Sequence, residues 1–140
     1  MLDLAERGEP VTVRTVSGRV LTGRIGVVAQ DAVVVELGSG PSFVRLAAVS
    51  SVRGAGGGRV GGVSGDRAGA RAATLAALLA DLAPDRPRIA LAVLGEPGLV
   101  RGELHGAGAD VLTVVLDGDP PVTVHFATAQ VSELTVLASG

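Results

Sequence analysis

The chain has no cysteine, no tryptophan, no tyrosine and no lysine, and only two phenylalanines, Phe43 and Phe126, in 140 residues. Each absence removes a class of function. Without cysteine there is no disulfide and no thiolate chemistry, and a zinc site would need His105, His125 and carboxylates alone. Without aromatic platforms, the bases of a single-stranded nucleic acid have little to stack on. The net charge of −2 adds no overall basic footprint. No apolar run reaches the ~20 residues of a membrane span. The start, Met1-Leu-Asp-Leu-Ala-Glu-Arg-Gly8, carries acids and lacks a signal-peptide core. A soluble cytoplasmic protein without membrane contact is the expectation.

What the chain does have is Val, Leu, Ala, Gly and Arg. Apolar residues make up 47% of it and glycine supplies 21 positions. That is enough for a core, in one ordinary domain or two very small ones. One stretch is said twice. Val20-Leu-Thr-Gly-Arg-Ile-Gly-Val-Val-Ala-Gln-Asp-Ala-Val-Val-Val-Glu-Leu37 aligns without a gap to Leu99-Val-Arg-Gly-Glu-Leu-His-Gly-Ala-Gly-Ala-Asp-Val-Leu-Thr-Val-Val-Leu116. Gly23 falls on Gly102, Asp31 on Asp110 and Leu37 on Leu116.

The pattern around each copy is that of short strands. Val11-Thr-Val-Arg-Thr-Val16 alternates apolar with polar, the period of a strand with one buried face. Ser17-Gly18 makes a turn, and Leu21, Gly23, Ile25 and Val27 share a face. A glycine in mid-strand marks a sharp bend or a close backbone approach. Gln30-Asp31 turns the chain into Val33, Val35 and Leu37, and Phe43–Leu46 and Ser51–Arg53 supply two more strands. The second copy runs the same course from Ile89. Connections this short exclude parallel crossovers. Between the copies, residues 54–65 are glycine-rich and read as a linker. Asp66 is a candidate N-cap for an amphipathic helix over residues 67–82, carrying Ala68, Ala72, Leu75, Leu78, Leu79 and Leu82, and Pro84 and Pro87 end it. The expected architecture is mainly β: two tandem, small, antiparallel five-stranded barrels of SH3/Sm-like type, residues 1–53 and 88–140, around a linker-and-helix segment, residues 54–87.

The run Val11-Thr-Val, Ser17-Gly-Arg19, Gly23-Arg-Ile25 and Asp31 resembles the first motif of the Sm-like (LSm/Hfq-type) small barrel. Ile89-Ala-Leu, Gly102-Glu-Leu104 and Asp110 repeat it, with Pro97-Gly98 where the family has Gly-Arg. The chain is also similar to a group of actinobacterial proteins with two such units and a Leu-rich helix between them. The resemblance covers about residues 9–53 and 88–138. It implies assembly through paired edge strands and an RNA site. The family's uridine-binding Asn positions, however, hold Val33 and Leu112. Of its Arg-Gly pair only Arg53-Gly54 is present, since the second copy has Thr135-Val136 there.

No constellation amounts to a reaction, and the expectation is a protein that is not an enzyme and binds no cofactor or metal. Gly56-Gly-Gly-Arg-Val-Gly61 fits GxGxxG, but the expected helix starts several residues too late to place its N-terminus on a pyrophosphate. His105 and His125 read as outward surface residues, Asp31 and Asp110 as turn formers, and Asp117 and Asp119 as a loop too short for calcium. Ser17, Ser42 and Ser132 have no base nearby in sequence. The arginines have more pull. Through residue 71, nine of them face six acids. Arg14, Arg19, Arg24, Arg45 and Arg53 all lie in the first unit and are the candidate nucleic-acid-binding set.

The second unit is apolar on its outer face as well, at Ala90, Ala92, Leu94, Val111 and Val115. The helix, the other barrel or another chain must cover that face. The leading expectation is therefore a binding or scaffold protein that works through barrel edges and this outer face, with a protein partner or a second copy. RNA binding through the five arginines is the alternative. Function is expected where the copies disagree: Arg24 against Glu103, Arg45 against His125, and the apolar face carried by the second copy alone.

Overall fold

The computed structural model describes residues 10–54 and 73–137. In chain order it contains β1 (Pro10–Thr15), β2 (Val20–Val28), β3 (Ala32–Leu37), β4 (Gly40–Arg45), β5 (Val49–Gly54), α1 (Leu75–Leu82), β6 (Arg88–Val93), β7 (Val100–Ala107), β8 (Val111–Leu116), β9 (Val122–Ala127) and β10 (Val131–Val136). Short 3-10 turns, Leu46–Ala48 and Thr128–Gln130, lead into β5 and β10. The fold is mainly β with every pairing antiparallel, as the alternating pattern and short connections require.

The strands form one open sheet in the order β5-β1-β2-β3-β4-β10-β6-β7-β8-β9. Each copy contributes five strands, with its last folded back beside its first. The two sets are not separate sheets. They merge where β4 pairs with β10, through Ser42 opposite Thr135, Phe43 opposite Leu134 and Val44 opposite Glu133.

The two sets match strand for strand. Val11 faces Gly23 and Val13 faces Leu21, as Ile89 faces Gly102 and Leu91 faces Val100. Val16 N–H donates to the Ala48 carbonyl at 2.8 Å, and Leu94 N–H to that of Gln130 at 2.9 Å. Leu46 N–H reaches Asp31 O, and Thr128 N–H reaches Asp110 O, both at 2.8 Å. The mid-strand glycines earn their place by close approach: a Cβ on Gly23 would strike the Glu36 carbonyl oxygen, and one on Gly102 that of Val115.

These registers correct one sequence alignment. Val35 pairs with Ser42 and Val114 with Val124. Arg45 therefore corresponds to Ala127, and His125 to Phe43. Relative to the first copy, the second has three extra residues in the β8–β9 loop and one in the β6–β7 turn.

Two cores lie on opposite sides of the sheet. Val11, Val13, Leu21, Ile25, Val33, Val35 and Val44 fill the first. The second gathers Ile89, Leu91, Leu104, Leu112, Val114, Val131 and Leu134 with Leu75, Leu78 and Leu79 of α1. It also takes Ala29, Ala32, Val34 and Phe43 from the first set. Alternate residues of β3 and β4 thus enter different cores, because successive side chains point to opposite faces. This explains why Ala32–Val35 is apolar without a break.

The helix is shorter than the sequence pattern suggests. It begins at Leu75, with Thr74 as N-cap accepting from Ala77 N–H at 3.2 Å. Ala73 and Thr74 are not helical, so a continuous helix from residue 67 is excluded. The proposed cap Asp66 and most of the glycine-rich run lie outside the described residues. The Thr74 hydroxyl wins because it fixes the register that puts Leu75, Leu78 and Leu79 into the core.

Gly23→Ala and Gly102→Ala are each expected to cost about 2 kcal/mol or more, because the new methyl meets backbone that cannot yield. Gly38→Ala, where a Cβ meets nothing, is the near-neutral control. Denaturant melts of the three variants check this.

Candidate functional site: the seam and the two outer edges

The seam between the strand sets is where polar chemistry concentrates. The Glu133 side chain is almost fully buried at 1% exposure, on the same face as Val44. Arg19, at the start of β2, reaches over this face to meet it. Its Nε donates to Oε1 at 3.2 Å and Nη2 to Oε2 at 2.9 Å, a two-pronged pair. That carboxylate raises the Arg19 pKa further above its ordinary value, chiefly through the hydrogen bond. Beside it the buried Ser42 and Thr135 hydroxyls bond at 2.9 Å.

Arg45 works from the other side. Its Nε donates to the Val131 carbonyl at 3.1 Å and Nη2 to that of Thr128 at 2.7 Å. Both carbonyls belong to the second set. Its Nη1 stands 3.9 Å from Asp31 Oδ2, and Asp31 Oδ1 accepts the first helical N–H, Leu75, at 2.6 Å. Asp31 therefore ties β3, β4 and α1 together, a larger task than the turn-forming role read from the sequence. Asp110, its counterpart, is exposed.

The five candidate arginines thus divide. Arg19 and Arg45 are spent on the seam. Arg14, Arg24 and Arg53 are exposed on the outer face of β1, β2 and β5. The register brings them together: Arg53 faces Thr12 and Ser51 faces Arg14, while Thr12 also faces Thr22 and Pro10 faces Arg24. Glu36, opposite Arg24, is the acid bordering this group on the same face.

The apolar outer face of the second set is covered in part from within. Ala90 and Ala92 are buried, paired on β6 with Thr135 and Glu133 of β10, the strand that carries the seam. Leu94 and Val111 stay exposed at 48% and 45%. Leu94, Val16, Ala47, Ala48, Ala129 and Val131 line a small apolar cleft of about 150 Å³ at the seam, with Arg45 and Ser132 in its wall.

The histidines stand apart from this chemistry. His105 Nε2 lies 2.6 Å from Glu103 Oε1, and His125 Nδ1 lies 3.0 Å from Thr113 Oγ1. Among the described residues no three His or carboxylate side chains converge as metal ligands, and no helix is long and apolar enough to cross a membrane. Arg88 pairs with Asp117 and, chiefly through that hydrogen bond, holds its carboxyl below the usual range.

The outer edges are the remaining feature. Among the described residues no strand pairs with the far side of β5 or of β9. Phe126 of β9 and Val52 of β5 are half-buried, whereas their counterparts beside the seam, Val44 and Leu134, are both at 0% exposure.

Sequence reasoning passed over Glu133 and Thr74. Glu133 had a signal: it stands where the first copy has Ser51, on a strand otherwise free of charge.

Removing Arg19 strands the buried carboxylate. Arg19→Met is expected to lower stability by about 3 kcal/mol, and Arg19→Met with Glu133→Leu to recover most of the loss. Equilibrium urea unfolding of the single and double variants decides it.

No family model, curated protein or solved structure matches the chain.

Proposed function

We propose that this chain is a non-enzymatic binding or scaffold protein with the organisation of two linked Sm-like small barrels, acting through the outer edges of β5 and β9. The observation that carries this reading is the pair of edges at the ends of one ten-stranded sheet, which no strand among the described residues covers. An edge strand presents a row of N–H and C=O groups and recruits another strand unless blocked. Neither edge is blocked within its span by proline or lysine. The half-buried Val52 and Phe126 add apolar area that a docked strand would cover. Of the apolar outer face, Val111 and Val115, on β8 next to β9, remain to extend such a contact. The partner is another protein strand, in the first instance one from a second copy.

A second reading rests on Arg14, Arg24 and Arg53, which share one exposed face with Thr12, Thr22 and Ser51. Three guanidiniums on a sheet suit a phosphate backbone, and RNA binding through them is the alternative. Arg19 and Arg45 do not join it, being engaged elsewhere.

Light scattering coupled to size exclusion tests the first reading. A mass that rises above the 13.8 kDa of one chain with concentration supports it, and a strict monomer at every concentration overturns it. Fluorescence anisotropy with U-rich and A-rich oligonucleotides tests the second. Three phosphate contacts predict a salt slope of about −2, lost in Arg14→Ala/Arg24→Ala/Arg53→Ala. A flat titration at low salt removes it.

A further inference from the structure

We infer that the β5 edge takes a strand from a different protein in which acidic and apolar side chains alternate, the acids pairing with Arg53 and Arg14. The inference rests on the edge reading above and names the chemistry of the partner.

The two faces of β5 differ. Val49 and Val52 are half-buried on the side of the first core, where Val52 pairs with Val13, itself at 0% exposure. Ser51 and Arg53 point the other way, because side chains along a strand alternate. Arg53 is exposed beside Thr12, and Ser51 stands opposite Arg14, which is exposed as well. Serine is small, so the long side chain of Arg14 can cross it towards the edge. Among the described residues no carboxylate lies within ion-pair distance of either guanidinium.

A strand laid along β5 therefore meets two guanidiniums on one face and two valines on the other. Its complement carries acids two residues apart, opposite Arg53 and Ser51, with an apolar residue between them opposite Val52. Arg24 stays out of this contact. It lies on β2, two strands in from the edge, and faces Glu36.

Arg53 also excludes partners. A charge on an edge strand opposes pairing with any strand that leaves it unanswered. Among the described strands of this chain none carries two acids two residues apart, since Glu36, Glu103 and Glu133 stand singly. A second copy would leave both guanidiniums without a carboxylate, so the better-matched strand belongs to another protein. The β9 edge is different. It carries Thr123, His125 and Ala127 on its outward face and Val122, Val124 and Phe126 on the other, with no acid or arginine to select by charge.

The test is fluorescence anisotropy on the full chain with the labelled peptide Thr-Val-Glu-Val-Glu-Val-Thr at low salt. Exchanging both Glu for Gln is expected to weaken binding about fivefold, the effect of two exposed cross-strand ion pairs, and exchanging both for Lys to weaken it further. Added salt should narrow the gap between the Glu and Gln peptides. Arg14→Glu/Arg53→Glu should reverse the order, making the Lys peptide the tightest, and Arg24→Ala should change nothing.

A Gln peptide that binds the unaltered chain as tightly as the Glu peptide overturns the acidic preference and leaves the edge reading standing. Equal binding of Val-Glu-Glu-Val-Val-Thr-Thr, whose adjacent acids cannot share a face, overturns it too, as charge attraction without strand pairing. Loss of peptide binding in Arg24→Ala would assign all three arginines to a longer polyanion, as the RNA reading requires, and sinks the inference as well. If no peptide binds while the chain still assembles by light scattering, only this inference falls. If the chain is also a strict monomer, the edge reading falls with it.

Discussion

A carboxylate withdrawn from water decides how the halves of this chain meet. Glu133 is buried on a face that the second strand set could not cover by itself, and an isolated charge there would be prohibitively costly. Arg19 of the first set answers it with two hydrogen bonds. The pairing of β4 with β10, the Ser42–Thr135 bond and the grip of Arg45 on two carbonyls all require the same relative placement. Each interaction alone tolerates some slippage. Together they admit one register, because a shift by a single residue would turn Glu133 from Arg19 towards the opposite face.

Apolar packing follows from that placement. With the sets joined at β4 and β10, the outward residues of β3 and β4 find themselves over the second core, and α1 closes the remaining gap. At about fifty residues each set alone has only a marginal interior. Sharing Ala32, Val34 and Phe43 between them enlarges one core at little cost in chain length. Asp31 then links core to helix: it receives the Leu75 amide and stands beside Arg45.

Much of the strand plan was legible in the sequence, for a physical reason. Alternation at Val11–Val16 and the bend at Gly23 and Gly102 are local signals, and local signals survive without knowledge of neighbours. The seam was not legible because it joins residues 93 positions apart, and no periodicity reports which edge meets which. The helix start was misplaced because Ala68 and Ala72 fit the same spacing as Leu75, and alanine marks a helix without marking where it is buried. The arginines were readable as a group but not by role. Arg19 and Arg45 differ from Arg14, Arg24 and Arg53 only in what faces them across strands. The correspondence of Arg45 with His125 failed because the β8–β9 loop is longer by three residues, which puts Ala127, two residues further along the same face of the strand, in the place of Arg45.

The long span of the seam has a consequence during synthesis. The first five strands leave the ribosome complete at Gly54, with Ala32, Val34 and Phe43 facing nothing. Their cover, β10, lies more than ninety residues behind β4, a delay of roughly 5–20 s at ordinary translation rates. For that interval the nascent chain carries an apolar sheet face beside an open β4 edge, the combination that recruits other nascent chains. Slow elongation or a stall between the two sets would lengthen the exposure, so the demand for chaperones falls on the first half of this protein and ends when its last strand arrives.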